Sequence, residues 1–224
     1  MARKIRVEYS GAVYHVLNRG DRREPIFKDD LDRHRFLETL GQACASARTS
    51  WAVHAVERRG WRSGQRTKRR KGDVQKVGIA RRLREETTMT LGWIAANGVN
   101  PQMGSTHNHY HLVMETPNAN LVAGMAWLQS TYTIRLNHRH KQVGHVFSGR
   151  YKSQLIEGCG NGYLRTACDY VHLNPVRAKL LKPKDRLRAY PWSSFGYYLC
   201  ALAHRPNWMR VDRLLGEHGI GQAG

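Results

Sequence analysis

The sequence predicts an α+β fold: a ferredoxin-like antiparallel sheet with helices on one face, carrying an inserted small helical module. Two observations support this. Short runs rich in apolar and β-branched residues alternate with longer stretches whose apolar residues recur every three or four positions, in the order strand, helix, strand, strand, helix, strand, helix. Between the second and third strands a basic stretch of different composition interrupts that order.

The first strand is residues 12–17 (AVYHVL), closed by Asn18-Arg19-Gly20. Asp29, Asp30 and Asp32 then open a helix whose apolar positions are Leu31, Phe36, Leu37 and Leu40, and carboxylates in a first turn suit the positive end of the helix dipole. Residues 51–56 (WAVHAV) read as the second strand. Residues 57–86 hold 12 Lys or Arg against 4 Asp or Glu, and their first half lacks apolar periodicity, as a basic arm does. Val77, Ala80 and Leu83, then Leu91, Ile94 and Ala95, predict two short helices of helix-turn-helix size. The third strand is residues 107–115 (HNHYHLVME), and Leu121, Met125, Leu128, Tyr132 and Leu136 form the stripe of a long helix. A strand over 146–156 and a helix from residue 161 to the Asn174-Pro175 break complete the body. The expected division is a discontinuous domain, 1–56 and 107–200, an inserted module, 57–106, and a C-terminal tail, 201–224.

Composition narrows the function. The 224 residues carry 37 Lys plus Arg against 17 Asp plus Glu, a net +20, so the expected partner is a polyanion, foremost nucleic acid. Hydrophobic content of 41%, with 6 Trp and 10 Tyr, is enough for a core and excludes wholesale disorder. The four cysteines fall in no CxxC pair, which excludes a zinc ribbon. No apolar run reaches membrane-spanning length and residues 1–20 lack a signal-peptide core, so a cytoplasmic, nucleoid-associated location is expected.

His109-Tyr110-His111 is the sharpest chemical feature. Strand residues i and i+2 project from one face about 6.6 Å apart, which lets two imidazoles converge on one ion. His107 adds a third imidazole to that face. By themselves, these letters fit a solvated strand face equally well.

Five motifs accompany the pair: YHVLNRG, NHYHLVMETP, GHVFSGRYKS, DYVHLNPVRA and YPWSSFGYYL. In this order they resemble the REP-associated tyrosine transposases, members of the HUH single-tyrosine transposases and their domesticated relatives. The resemblance implies the HUH endonuclease fold and a divalent ion, Mg²⁺ or Mn²⁺, held by His109 and His111. It implies Tyr170 as the nucleophile that cuts single-stranded DNA at hairpin-forming sites, leaving a 5′-phosphotyrosine and a free 3′-OH before strands are rejoined. Asn174, one turn after Tyr170, is the implied third ligand; positions i and i+4 of a helix share a face. Arg19, Arg150, Lys152 and Arg177 are expected to contact DNA, and a monomer is favoured over a dimer. A tyrosine of pKa near 10 needs help, since forming its phenolate at pH 7 costs about 4 kcal/mol, and a cation on the scissile phosphate supplies such help.

Some residues retain bland readings. Asn174 before Pro175 also suits the N-cap of a new helix, and Trp192 reads either as a base-stacking platform or as core. The family's short hairpin before the HUH strand is here about 50 residues long. The inserted text resembles the helix-turn-helix tail of longer members, so a duplex DNA contact is expected through residues 77–97. The alternative function is a noncatalytic DNA-binding protein derived from a transposase. A zinc hydrolase using His107, His109 and His111 is weaker, because no carboxylate base is apparent nearby.

Overall fold

The computed structural model describes residues 7–47, 50–57, 108–156, 162–178, 180–182 and 184–220; for 47 and 50–57 it describes the backbone alone. In chain order these form β1 (Ala12–Arg19), α1 (Asp30–Ala47), β2 (Ser50–Glu57), β3 (His109–Thr116), α2 (Leu121–His140), β4 (Lys152–Ile156), α3 (Tyr163–Arg177), α4 (Phe195–Tyr198) and α5 (Asp212–Glu217). The strands make one sheet in the order β2-β3-β1-β4, every neighbouring pair antiparallel. That is the split βαβ arrangement expected from the element order. The predicted helix-turn-helix, the duplex contact at 77–97 and His107 lie outside the described residues.

Strand alternation assigns the two faces. Ala12, Tyr14 and Val16 of β1 and Tyr110, Leu112 and Met114 of β3 point into a core shared with Phe36 and Leu40 of α1 and Met125, Leu128 and Tyr132 of α2. Burying each such side chain contributes about 1.5–3 kcal/mol. Phe36 sits at the centre, its ring 5.0 Å from Tyr110 and 5.1 Å from Tyr132. Both buried phenols are satisfied: Tyr132 donates to the Ile26 carbonyl at 2.5 Å, and Tyr110 accepts from Gln129 Nε2 at 2.8 Å. These two crossover helices cover one face as expected, and α3 adds a cover to the other. There Val13, Val113 and Ile156 pack on Leu164, Ala167, Cys168 and Val171.

Two local expectations change. The helix predicted to stop at Asn174-Pro175 runs on to Arg177 with Pro175 inside it. Proline there removes one hydrogen bond near a terminus where the ladder is ending anyway, so Asn174 is not the N-cap of a new helix. The segment read as a tail also packs on the body up to residue 220: Leu214 is buried against α3 and the sheet. Arg210 and Arg213 pair with Glu115 of β3 at 3.2 and 3.0 Å. Gly41 of α1 makes room for it, since a Cβ there would meet the Trp208 indole at 2.8 Å.

The start of α1 is locked to the end of α2 by charge. Asp29 caps the helix, accepting from the Asp32 amide at 3.0 Å, and Asp32 accepts from the Lys28 amide at 2.8 Å. Arg139 grips Asp29 through both amino groups at 2.8 and 2.7 Å and reaches Asp32 at 2.5 Å. Its hydrogen bonds hold the Asp29 carboxyl down at about 2. Asp32 is buried, so Asp32→Ala strips Arg139, His140 and the Lys28 amide of a partner together. The expected loss is about 2–4 kcal/mol of unfolding free energy, measured by urea denaturation.

Candidate active site on the second face of the sheet

Register places the predicted pair. His109 stands opposite Arg19 and His111 opposite Leu17, with β2 pairing the same residues from the other side through Glu57 and Ala55. The odd-numbered residues of β1 and β3 share the face that α3 covers, so both histidines look away from the main core. Their rings lie 5.4 Å apart, nearly perpendicular. β3 is thus in register with both neighbours despite the long segment that separates it from β2 in the chain.

A third histidine joins them, and the sequence reading passed it over. His15 of β1 sits diagonally across from His111, its Nε2 3.0 Å from His111 Nδ1, with the rings stacked at 5.3 Å and 15°. It lies in the YHVLNRG motif, where it reads as one more residue of an apolar strand; its signal appears only once β1 is registered on β3. Both rings are buried. Burial lowers the His15 pKa to about 4, and burial followed by the charges of His15 and His109 takes His111 well below the ordinary histidine range. Both are uncharged at neutral pH, as metal ligation requires.

His109 is oriented from outside the sheet. Asn108 gives its Nδ2 to the Arg23 carbonyl at 3.2 Å, which turns its Oδ1 toward His109 Nδ1 at 2.9 Å. With the amide assigned from that network, His109 donates from Nδ1, and in the neutral ring Nε2 holds the lone pair.

Tyr170 comes to the same place from α3. It is buried, and its ring stands edge-on to His111 and to His15, 5.9 Å from each. Arg177, two turns on, lays its guanidinium 4.8 Å over the Tyr170 ring, a contact worth about 0.5–1 kcal/mol where solvent reaches it. Asn174 is buried one turn after Tyr170. The structure thus gathers His109, His111 and Tyr170, with Arg177 on the tyrosine. Arg19 stands on the same face beside His109, and Lys152, opposite Leu17 on β4, flanks the other side. Arg150 is placed elsewhere, lining a cavity of about 750 Å³ with Gln129, Thr133 and His145 along α2.

Other candidates resolve as scaffold. Trp192 is buried over the Arg33 guanidinium at 5.3 Å and against His34, so it is core. His172, in the tyrosine's motif, bonds Ser194 at 3.1 Å and packs on Phe195 and Tyr198, joining the fourth and fifth motifs. Asp29, Asp32 and His140 bring ligand atoms within 4.8 Å of one another. Arg139 already serves as the cation of that group.

Two imidazoles held by their Nδ1 atoms are donors suited to a divalent ion, and an Asn174 amide oxygen is a donor of the same use. The sheet order and helix placement define an α+β protein of the ferredoxin-like kind with a tyrosine helix across its second face. Among solved structures, a REP-associated tyrosine transposase bound to a REP hairpin shares this fold, with a TM-score of 0.55 over 93% of this chain and 91% of that one at 11% identity. No protein-family model matches the sequence, and no curated protein matches it.

His15 makes stability pH-dependent in the metal-free protein. Its folded pKa of about 4 lies below the ordinary 6.5, so the contribution is complete above pH 6.5 and is lost as pH falls through 4. Urea denaturation across that window is expected to show stability falling with pH more steeply in wild type than in a His15→Phe protein.

Proposed function

We propose that this protein is a metal-dependent single-tyrosine transposase that nicks and rejoins single-stranded DNA at hairpin-forming sites. The observation that carries the reading is the meeting of Tyr170 with the His109–His111 pair across the second sheet face. The shared fold with a protein that binds a REP hairpin supports DNA as the partner, as does the net charge of +20.

In this reading His109, His111 and Asn174 hold Mg²⁺ or Mn²⁺, which when bound neutralises and polarises the scissile phosphate. Tyr170 Oη attacks phosphorus in line. The Oη–P bond forms as the P–O3′ bond breaks, the phenolic proton leaves to solvent, and the departing 3′-oxygen takes one up. A 5′-phosphotyrosine and a free 3′-OH remain, and attack by a 3′-OH reverses the step. Arg177 sets its guanidinium over the Tyr170 ring and stabilises negative charge that develops there in the transition state, while Arg19 and Lys152 carry the strand on either side of the histidines. Arg150 meets DNA along the α2 cavity. Residues 1–56 and 107–200 form the catalytic domain, with 201–220 packed on it, and 57–106 supply an accessory duplex contact through 77–97. The protein acts as a nucleoid-associated monomer.

The test uses labelled single-stranded hairpin DNA with Mn²⁺ or Mg²⁺. Wild type is expected to form a denaturation-stable protein–DNA adduct and Tyr170→Phe none. Adducts from both proteins identify another tyrosine as the nucleophile. DNA binding by wild type without any adduct supports the noncatalytic alternative, which the length of the insertion favours.

Arg177 and Lys152 separate in the same assay. Arg177→Met is expected to slow adduct formation about tenfold, the loss of roughly 1.4 kcal/mol of transition-state stabilisation. Lys152→Ala is expected to weaken binding uniformly across sequences and to reduce the salt slope of binding by about one.

A further inference from the structure

We infer that His15 is a positioning residue that fixes which ring nitrogen of His111 faces the site, an inference that rests on His111 being an ion ligand as proposed above. His15 Nε2 and His111 Nδ1 are 3.0 Å apart and both rings are buried. One proton lies between two neutral imidazoles at that distance, so there are two arrangements. When His15 donates, the His111 proton sits on Nε2 and blocks it as a ligand atom. When His111 donates from Nδ1, its Nε2 carries the lone pair.

Two observations select the second arrangement. His109, two residues away on the same strand face, already donates from Nδ1 to Asn108 Oδ1 at 2.9 Å, so neighbouring ligands present the same nitrogen only when His111 also donates. The second lies on β4. His15 must then carry its own proton on Nδ1, and Gln154 stands opposite it in register with a buried Oε1 that is not hydrogen-bonded to His15 Nδ1 as the two side chains are placed. A proton on Nδ1 makes these two buried atoms a complementary donor and acceptor, whereas a bare Nδ1 leaves two lone pairs. Packing holds the arrangement: the rings stack at 15°, and Tyr170 stands edge-on to both, at 70° and 71°. His15 thus acts on the ion through His111, as outer-shell acceptors of metal-bound histidines do.

The decisive readout needs no activity. Long-range ¹H–¹⁵N correlation of ring nitrogens in the metal-free protein, assigned with His15→Phe and His111→Gln variants, is expected to show His111 as the Nδ1–H tautomer. His15→Phe, which keeps a flat ring but offers no acceptor, is expected to move His111 to Nε2–H and weaken Mn²⁺ binding without DNA about 10–100-fold. His15→Gln restores an acceptor and is expected to keep both the tautomer and the affinity; it also serves if the Phe variant misfolds. A wild-type His111 protonated on Nε2 overturns the inference, as does wild-type Mn²⁺ affinity in a folded His15→Phe protein. Absence of Mn²⁺ binding by wild type removes the ligand role of His111 and the inference with it. The expected tautomer and Mn²⁺ affinity in a protein that forms no DNA adduct sink the transposase reading and leave the role of His15 standing.

Discussion

The pairing of Leu17 with His111 is the constraint from which the rest of the molecule follows. A strand shows alternate residues to opposite faces, so this register sends Tyr110, Leu112 and Met114 into the core with α1 and α2. The same register sends His109 and His111 to the face of Tyr170. A shift by one residue would turn three core side chains to the α3 face and bury both histidines under α1 and α2. Because the core loses several kilocalories per mole in that exchange, the hydrophobic pattern that folds the sheet also aims its chemistry. A 50-residue interruption next to the strand does not disturb it, since β1 on the other side supplies the template.

Burial then sets the character of the site. Histidines inside a sheet would ordinarily be costly, and for His109 and His111 that cost is offset by a bond to Nδ1, from Asn108 in one case and His15 in the other. Keeping His15 and His111 uncharged makes this face sensitive to acid, which a bare aliphatic face would not be. The site and the second core share α3, so Tyr170 is positioned by the same helix whose Cys168 and Val171 stabilise that face.

Much of this was legible from residues alone. Alternation in HYHLVME and AVYHVL revealed strands, the Asp29 to Asp32 cluster revealed a helix start, and motif order led to Tyr170. What stayed hidden depends on contacts distant in the chain. His15 is recognisable only from a diagonal across two strands 96 positions apart, and its apolar neighbours disguise it. Pro175 suggested a break because local steric rules count hydrogen bonds without knowing how close the helix end is. Arg177 looked like any surface cation until helix geometry laid it on the tyrosine, while Arg150 shared a motif with Lys152 yet turned toward α2. Residues 201–220 lacked strong periodicity, and packing on Glu115 and Leu164 organises them regardless.

Glu57 pairs with His109, so the inserted segment departs from the sheet and returns to it at the very row that carries the first histidine. Under the proposed function, a DNA arm gripped by the module is tethered at the mouth of the site. The second contact becomes intramolecular, governed by an effective concentration that reaches the millimolar range for short flexible connections. Residence on DNA then depends on the reach of the tether as much as on either surface, and shortening the segment on both sides of the module would tune avidity without touching a single catalytic atom.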